Sequence, residues 1–217
     1  MIDQSPNLRS DLKPITLHVN RIWPSTRSEA LAPQERPFAS LTLTRTLDHL
    51  KIDIVSTKRD DPPPPGPAGP LWALWNYEVV ECFIVGGQGA YLELEFGPYG
   101  HHLALQLSAP RVIERAFLPI KYLIEPHSET DDRSMWSASA TLDRALLPPP
   151  IRAPLSDGTQ PQGHRSDEYR VNAFACWGPE QERSYAVASP LGEGPPDFHR
   201  PHLFPSWSAL AELESLS

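Results

Sequence analysis

Apolar and polar residues alternate along much of this chain with the period of two that marks strands, rather than the 3.6 of helices. Ile15–Ile22 (ITLHVNRI) alternates in this way, and Leu41–Leu47 (LTLTRTL) does so strictly, with threonine on its second face. Leu50–Val55 resumes the pattern after a break at Asp48 and His49. Two longer runs, Trp75–Val85 (WNYEVVECFIV) and Ala90–Gly97 (AYLELEFG), flank Gly-Gly-Gln-Gly at 86–89 and predict a hairpin with a four-residue loop. Shorter strands are predicted at 103–107, 120–124, 135–142, 169–177 and 184–188. Helical spacing is confined to one turn at Leu142–Leu147, stopped by Pro148, and a short helix at Ser208–Leu216. Many short strands joined by loops predict an all-β fold, a β-sandwich, over a single domain spanning 1–217.

Composition adds the loops. The 26 prolines are about twice ordinary usage and cluster rather than spread. Arg59–Pro70 (RDDPPPPGPAGP) cannot supply ladder donors and reads as an extended, stiff surface connector, with docking of a proline-binding partner domain as the lesser alternative. Pro148–Asp167 reads as a second long loop. A net charge of −8 argues against nucleic acid and anionic membrane surfaces as partners. No apolar run is long enough for a transmembrane helix, and Met1–Pro14 lacks the apolar core of a secretory signal. A cytoplasmic, or nuclear, location is expected. Cys82 and Cys176 each sit in a strand-like run and are expected to be reduced and buried. No cofactor is expected. Asp60-Asp61 and Glu129–Asp132 are weak candidates for structural calcium, solvated charge being the ordinary role of such groups.

The central hairpin raises the first chemical question. With Val85 opposite Ala90, Val79, Glu81, Phe83 and Val85 share a face with Leu92, Leu94 and Phe96. Glu78, Val80, Cys82, Ile84, Tyr91, Glu93 and Glu95 take the other. Glu81 then stands among apolar side chains, where a carboxylate needs a partner. Arg170, Asn172 and His199 are candidates, and a bulge turning Glu81 outward is an alternative. The residue is either a satisfied structural carboxylate or an acceptor for ligand hydroxyls. Trp72, Trp75, Tyr77, Trp177, Phe198, Phe204 and Trp207 form an aromatic inventory from which both core and flat sugar platforms can be drawn. Glu81, Glu93 and Glu95 with His101, His102 and His199 contain the groups for acid/base or metal chemistry. No nucleophile elbow, zinc-protease helix or phosphate loop accompanies them, so no catalytic or metal residue is assigned.

The run Leu74–Ile84 resembles the W…D/E-x-V-E-x-F-I signature of family 9 carbohydrate-binding modules, which belong to the DOMON-like, jelly-roll-like β-sandwiches. Tyr91–Glu95, Pro98-Tyr99-Gly100, Trp136-Ser137-Ala138, Asn172-Ala173-Phe174 and Pro196–Phe204 are similar to further blocks of that group. The blocks span roughly 71–207. They resemble more closely still an uncharacterised family of small intracellular proteins. The resemblance implies non-catalytic binding of a carbohydrate or polyol-like ligand. It places the stacking aromatics on Trp75 and Phe198, and polar contacts on Glu81 and Glu95, with Trp177, Tyr77 and His199 as rim candidates. Where the modules carry an amide and a basic residue, this chain has Glu95 and Glu93, a change in both hydrogen-bonding role and charge. A protein-interaction or structural domain is the alternative reading, and a glycan-active or metal-dependent enzyme a more distant one.

Overall fold

The computed structural model describes residues 12–23, 33–125, 135–151, 168–192 and 194–215. Thirteen strands are assigned among them: β1 (Ile15–Val19), β2 (Arg21–Ile22), β3 (Ala39–Arg45), β4 (His49–Thr57), β5 (Gly69–Pro70), β6 (Val79–Val85), β7 (Tyr91–Phe96), β8 (His101–Ala109), β9 (Val112–Arg115), β10 (Ile120–Ile124), β11 (Met135–Asp143), β12 (Arg170–Trp177) and β13 (Ser184–Val187). One helix, α1 (Trp207–Glu214), closes the chain, with Ser206 capping it through a bond from the Ala209 N–H.

The strands form a sandwich of two sheets. The smaller has the order β1-β3-β4-β11-β10; the larger has β2-β13-β12-β6-β7-β8-β5, with β9 paired to β8. The predicted run at 15–22 is divided between them: β1 pairs with β3, and after Asn20 the chain crosses so that β2 pairs with β13. The smaller sheet obeys its alternation. Leu41, Leu43, Ile52, Ile54 and Trp136 point inward, while threonines, serines and charged residues occupy the other face.

The larger sheet behaves differently. Every residue of β6 and β7 is buried, so both faces are covered. Its inner face (Val80, Cys82, Ile84, Leu92, Leu94, Phe96) meets the smaller sheet in the main core. Its outer face (Val79, Phe83, Tyr91, Leu103, Leu105, Phe174) supports a second core under Leu74, Leu191 and Phe204. The lid comes from the segment 71–77, from Leu191 and from the segment 194–204, and that lid creates the candidate site.

The hairpin register corrects the expectation. Val85 faces Tyr91, not Ala90, because residues 87–89 form a 3-10 turn with Gln88 at φ 60° and the connection is five residues long. A one-residue shift exchanges faces. Glu81 therefore lies directly opposite Glu95, with Glu93 on the same side, and Leu92, Leu94 and Phe96 face the opposite way. Trp75 is not within a strand: residues 74–76 form a 3-10 turn entered through Ala73 at φ 59°. The proline-rich segment ends in β5, which pairs in parallel with β8 at His101 and His102. No helix among the described residues is long and apolar enough to cross a membrane.

Candidate functional site

A cavity of about 560 Å³ opens on the outer face of the larger sheet. Its floor is set by strand register. Across β12, β6 and β7, Phe174, Glu81 and Glu95 stand in one row, and Phe83 and Glu93 in the next. Glu81, Glu93, Leu105 and Cys176 reach the cavity; Trp72, Trp75, Tyr185, Phe198 and His199 wall it.

The walls are held from below. Arg183, just ahead of β13, donates to the carbonyls of Trp75 at 2.7 Å, Gly178 at 2.8 Å and Asn76 at 3.3 Å, and also to that of Tyr77. It approaches the Cys176 sulfur at 3.2 Å. A guanidinium is the side chain with enough donors in a fixed fork to gather so many carbonyls. It thereby fixes the turn that presents Trp75. Trp75 meets Trp72 edge-to-face, with ring centroids 5.3 Å apart. On the other side Phe198 stacks on Phe174 at 4.1 Å and takes the edge of Tyr185 at 5.8 Å.

A polar relay borders the cavity. The Arg111 backbone N–H donates to the Tyr91 hydroxyl at 3.3 Å, and that hydroxyl lies 2.7 Å from His199 Nδ1. Either the Tyr91 hydroxyl or His199 Nδ1 can be the donor of that bond, according to the imidazole tautomer. The Arg111 side chain bonds Asp197 at 2.8 Å, and Asp197 accepts from the His199 backbone N–H at 3.0 Å. Burial, assisted by Arg111, lowers the His199 pKa to about 4, so the ring is neutral at neutral pH. Burial alone would raise Asp197; the His199 N–H, Arg111 and Arg200 outweigh it and hold the group below the usual range.

The three glutamates run the other way. Glu81, 3 % exposed, is raised by burial and by Glu93, only partly offset by Arg183 and the Cys176 thiol, which donates to it at 3.8 Å. Burial raises Glu93, with Arg111 opposing. Glu95 is fully buried, and neither carboxyl oxygen has a hydrogen-bond partner of good geometry. Burial and the two neighbouring carboxyls push it well up, against a weak backbone contribution from Trp75. The arrangement suits donors from a ligand: hydroxyls or an amine at the carboxyls, and an apolar skeleton against the rings.

Of the residues named from sequence, Trp75, Glu81, Phe198 and His199 come together at this cavity. Glu95 stands on the same face but behind Glu81, away from the cavity wall. Tyr77 packs under the second core and contributes its carbonyl to Arg183. Trp177 lies elsewhere, against Phe38 at 5.2 Å and under the Arg59 guanidinium at 4.6 Å. Glu81 turns to Cys176 and Arg183 rather than to the expected partners: Arg170 donates to the His202 carbonyl, and Asn172 bonds Ser189 and Ala173. Sequence reasoning misses Arg183, Arg111, Tyr185 and Asp197: the two arginines sit in short connections, Tyr185 within the predicted 184–188 strand, and Asp197 beside Phe198 in the Pro196–Phe204 block. Among the described residues no cluster of histidine, cysteine, aspartate and glutamate has metal-binding geometry. Asp61 accepts the Gly178 N–H at 2.7 Å, and Glu129–Asp132 lies outside the described residues.

These features define a β-sandwich with an aromatic-walled, carboxyl-floored cavity on one capped sheet. The chain belongs to the UPF0462 (C4orf33) family. The rat C4orf33 homolog is 32% identical over 168 residues, 73% of each chain. The human protein is 33% identical over 158 residues, 69% of this chain and 68% of that one. The zebrafish homolog is 31% identical over 167 residues, 72% of this chain and 73% of its own. No protein-family model matches the chain. Among solved structures, a Bacteroides uniformis protein with a provisional carbohydrate-binding designation superposes with a TM-score of 0.61 at 15% identity, over 90% of this chain and 85% of that one. At that identity the likeness speaks to fold.

Proposed function

We propose that this protein binds a small carbohydrate or polyol-like ligand in the outer-face cavity, without turning it over. The observation that carries the reading is the convergence of Trp75, Phe198, Glu81 and His199, distant in sequence, on one cavity of about 560 Å³. That size accommodates a mono- or disaccharide-scale ligand. Trp75 and Trp72 supply the apolar surface for a sugar ring, while Glu81, Glu93 and His199 supply hydroxyl partners. The likeness to family 9 modules and DOMON-like sandwiches supports the same reading, as does the designation of the Bacteroides neighbour. The cytoplasm is the location this reading takes for protein and ligand.

Tryptophan fluorescence titrated against mono- and disaccharides tests it. A saturable change, lost in Trp75→Ala, is the expected result. No change across the panel in a folded protein would remove the carbohydrate reading and favour a protein-interaction role.

A further inference from the structure

The cavity is short of positive charge at the one place where it has most need of it. Glu81, Glu93 and Glu95 occupy neighbouring positions on the same sheet face. The donors of both adjacent arginines are already engaged, Arg183's by main-chain carbonyls and Arg111's by Asp197, so each reaches the glutamates through its charge and not through a hydrogen bond. Glu93 lines the cavity and is 5 % exposed, yet among the described residues it makes no hydrogen bond or ion pair. Among the described residues the hydrogen bond to Glu81 comes from the Cys176 thiol, at 3.8 Å, and Arg183 acts on it through charge alone. Once ionised, buried carboxyls in this condition call for donors and for compensating charge.

A neutral hydroxyl meets half of that need. It donates one proton but brings two lone pairs and no charge. An ammonium group brings three donors, no acceptor and a positive charge. The nearby rings add to the case, since an aromatic face attracts a desolvated cation. We infer that the ligand is cationic, an amino sugar or amino-polyol whose protonated amine seats against Glu81 and Glu93 while its carbon skeleton lies on Trp75. This inference rests on the small-ligand reading above and names the chemical class.

Proton release is its signature. The charged and titratable groups facing the three glutamates are Arg111, Arg183, Asp197, His199, Tyr91, Tyr185, Cys176 and Glu180. Asp197 stays ionised, His199 is neutral, and Tyr91 and Cys176 are raised by burial. Burial raises the three glutamates so that they hold exchangeable protons near neutral pH, and an arriving cation displaces them.

Calorimetry on the full chain near pH ~6.5, in buffers of differing ionisation enthalpy, reads both affinity and protons. The ligands are glucosamine, galactosamine and mannosamine, each beside its parent hexose and N-acetyl form, with cyclohexylamine as a hydroxyl-free amine. At least one hexosamine is expected to bind about tenfold or more tighter than its hexose and its N-acetyl form, with protons released. Glu93→Gln is expected to abolish that preference; the ligand comparison on the wild-type chain stands without it. A parent hexose binding as tightly as its amine overturns the cationic inference and leaves the polyol reading intact. Cyclohexylamine binding as tightly as the best hexosamine upholds the cation and removes the polyol. No binding by any of them overturns both.

Discussion

Glu95 is the residue whose surroundings match it least. It is fully buried, opposite Glu81 and flanked by Glu93, and neither oxygen has a partner of good geometry. An unsatisfied buried polar group costs about 1–3 kcal/mol. Methionine fills a similar volume without the polar head. Glu95→Met is therefore expected to stabilise the fold by about 1–3 kcal/mol, read as a higher urea midpoint with an unchanged slope. A lower midpoint would show that the carboxyl is satisfied in a way its neighbours do not reveal. Part of this was legible in the sequence: period-two alternation marked Glu81 as a carboxylate out of place. Its real companions were not. Arg183 and Arg111 lie in short connections, where a charged residue ordinarily faces water. Only the folding of the 71–77 segment over the sheet shows that Arg183 gathers four carbonyls, three of them from that segment.

At the scale of elements, the 86–90 turn decides which side chains reach the site. The Gly87 N–H donates to the Pro149 carbonyl at 2.6 Å, so the start of the predicted second loop clamps the turn. A Cβ on Gly86 would stand 2.2 Å from the Pro149 oxygen and 2.8 Å from Pro148 Cβ. The Gly86 φ of −104° carries no strain of its own, so the demand for glycine is purely one of space. Gly86→Ala is expected to cost about 1–3 kcal/mol in thermal or urea unfolding, as inserted methyls in tight packing do. An unchanged midpoint would mean that the 148–150 segment moves aside freely. The same turn shows where sequence reading stops. The strands on either side are plain from alternation and β-branched content, and both exist. Register rests instead on Gln88 adopting a left-handed conformation that its side chain does not announce. Likewise β5 and β9, at two and four residues, are too short to carry a period, and their pairing comes from contact with β8.

Across the whole molecule, burying both faces of one sheet places several carboxyls in surroundings that favour their neutral form, and this fixes how stability responds to pH. Glu78, raised to about 7 by burial despite two bonds from the Arg59 N–H, joins Glu81, Glu93 and Glu95. Below the ordinary glutamate pKa both folded and unfolded chains hold these protons. Above it only the folded chain does, so stability is lost as pH climbs through the raised values. His199, lowered to about 4, works in the opposite direction, but only below its unfolded pKa of about 6.5. Between about pH 6.5 and 8.5 the carboxyls act unopposed, and the fold is expected to lose roughly 2–4 kcal/mol. Urea midpoints across that range measure it. Glu81→Gln and Glu95→Gln should flatten the decline, whereas Glu212→Gln, on the exposed side of α1, should leave it unchanged and so separate burial from the general repulsion of an acidic chain. A fold whose stability rises over this interval, or whose decline is as steep in both buried variants, would place the protons of this sheet on other groups.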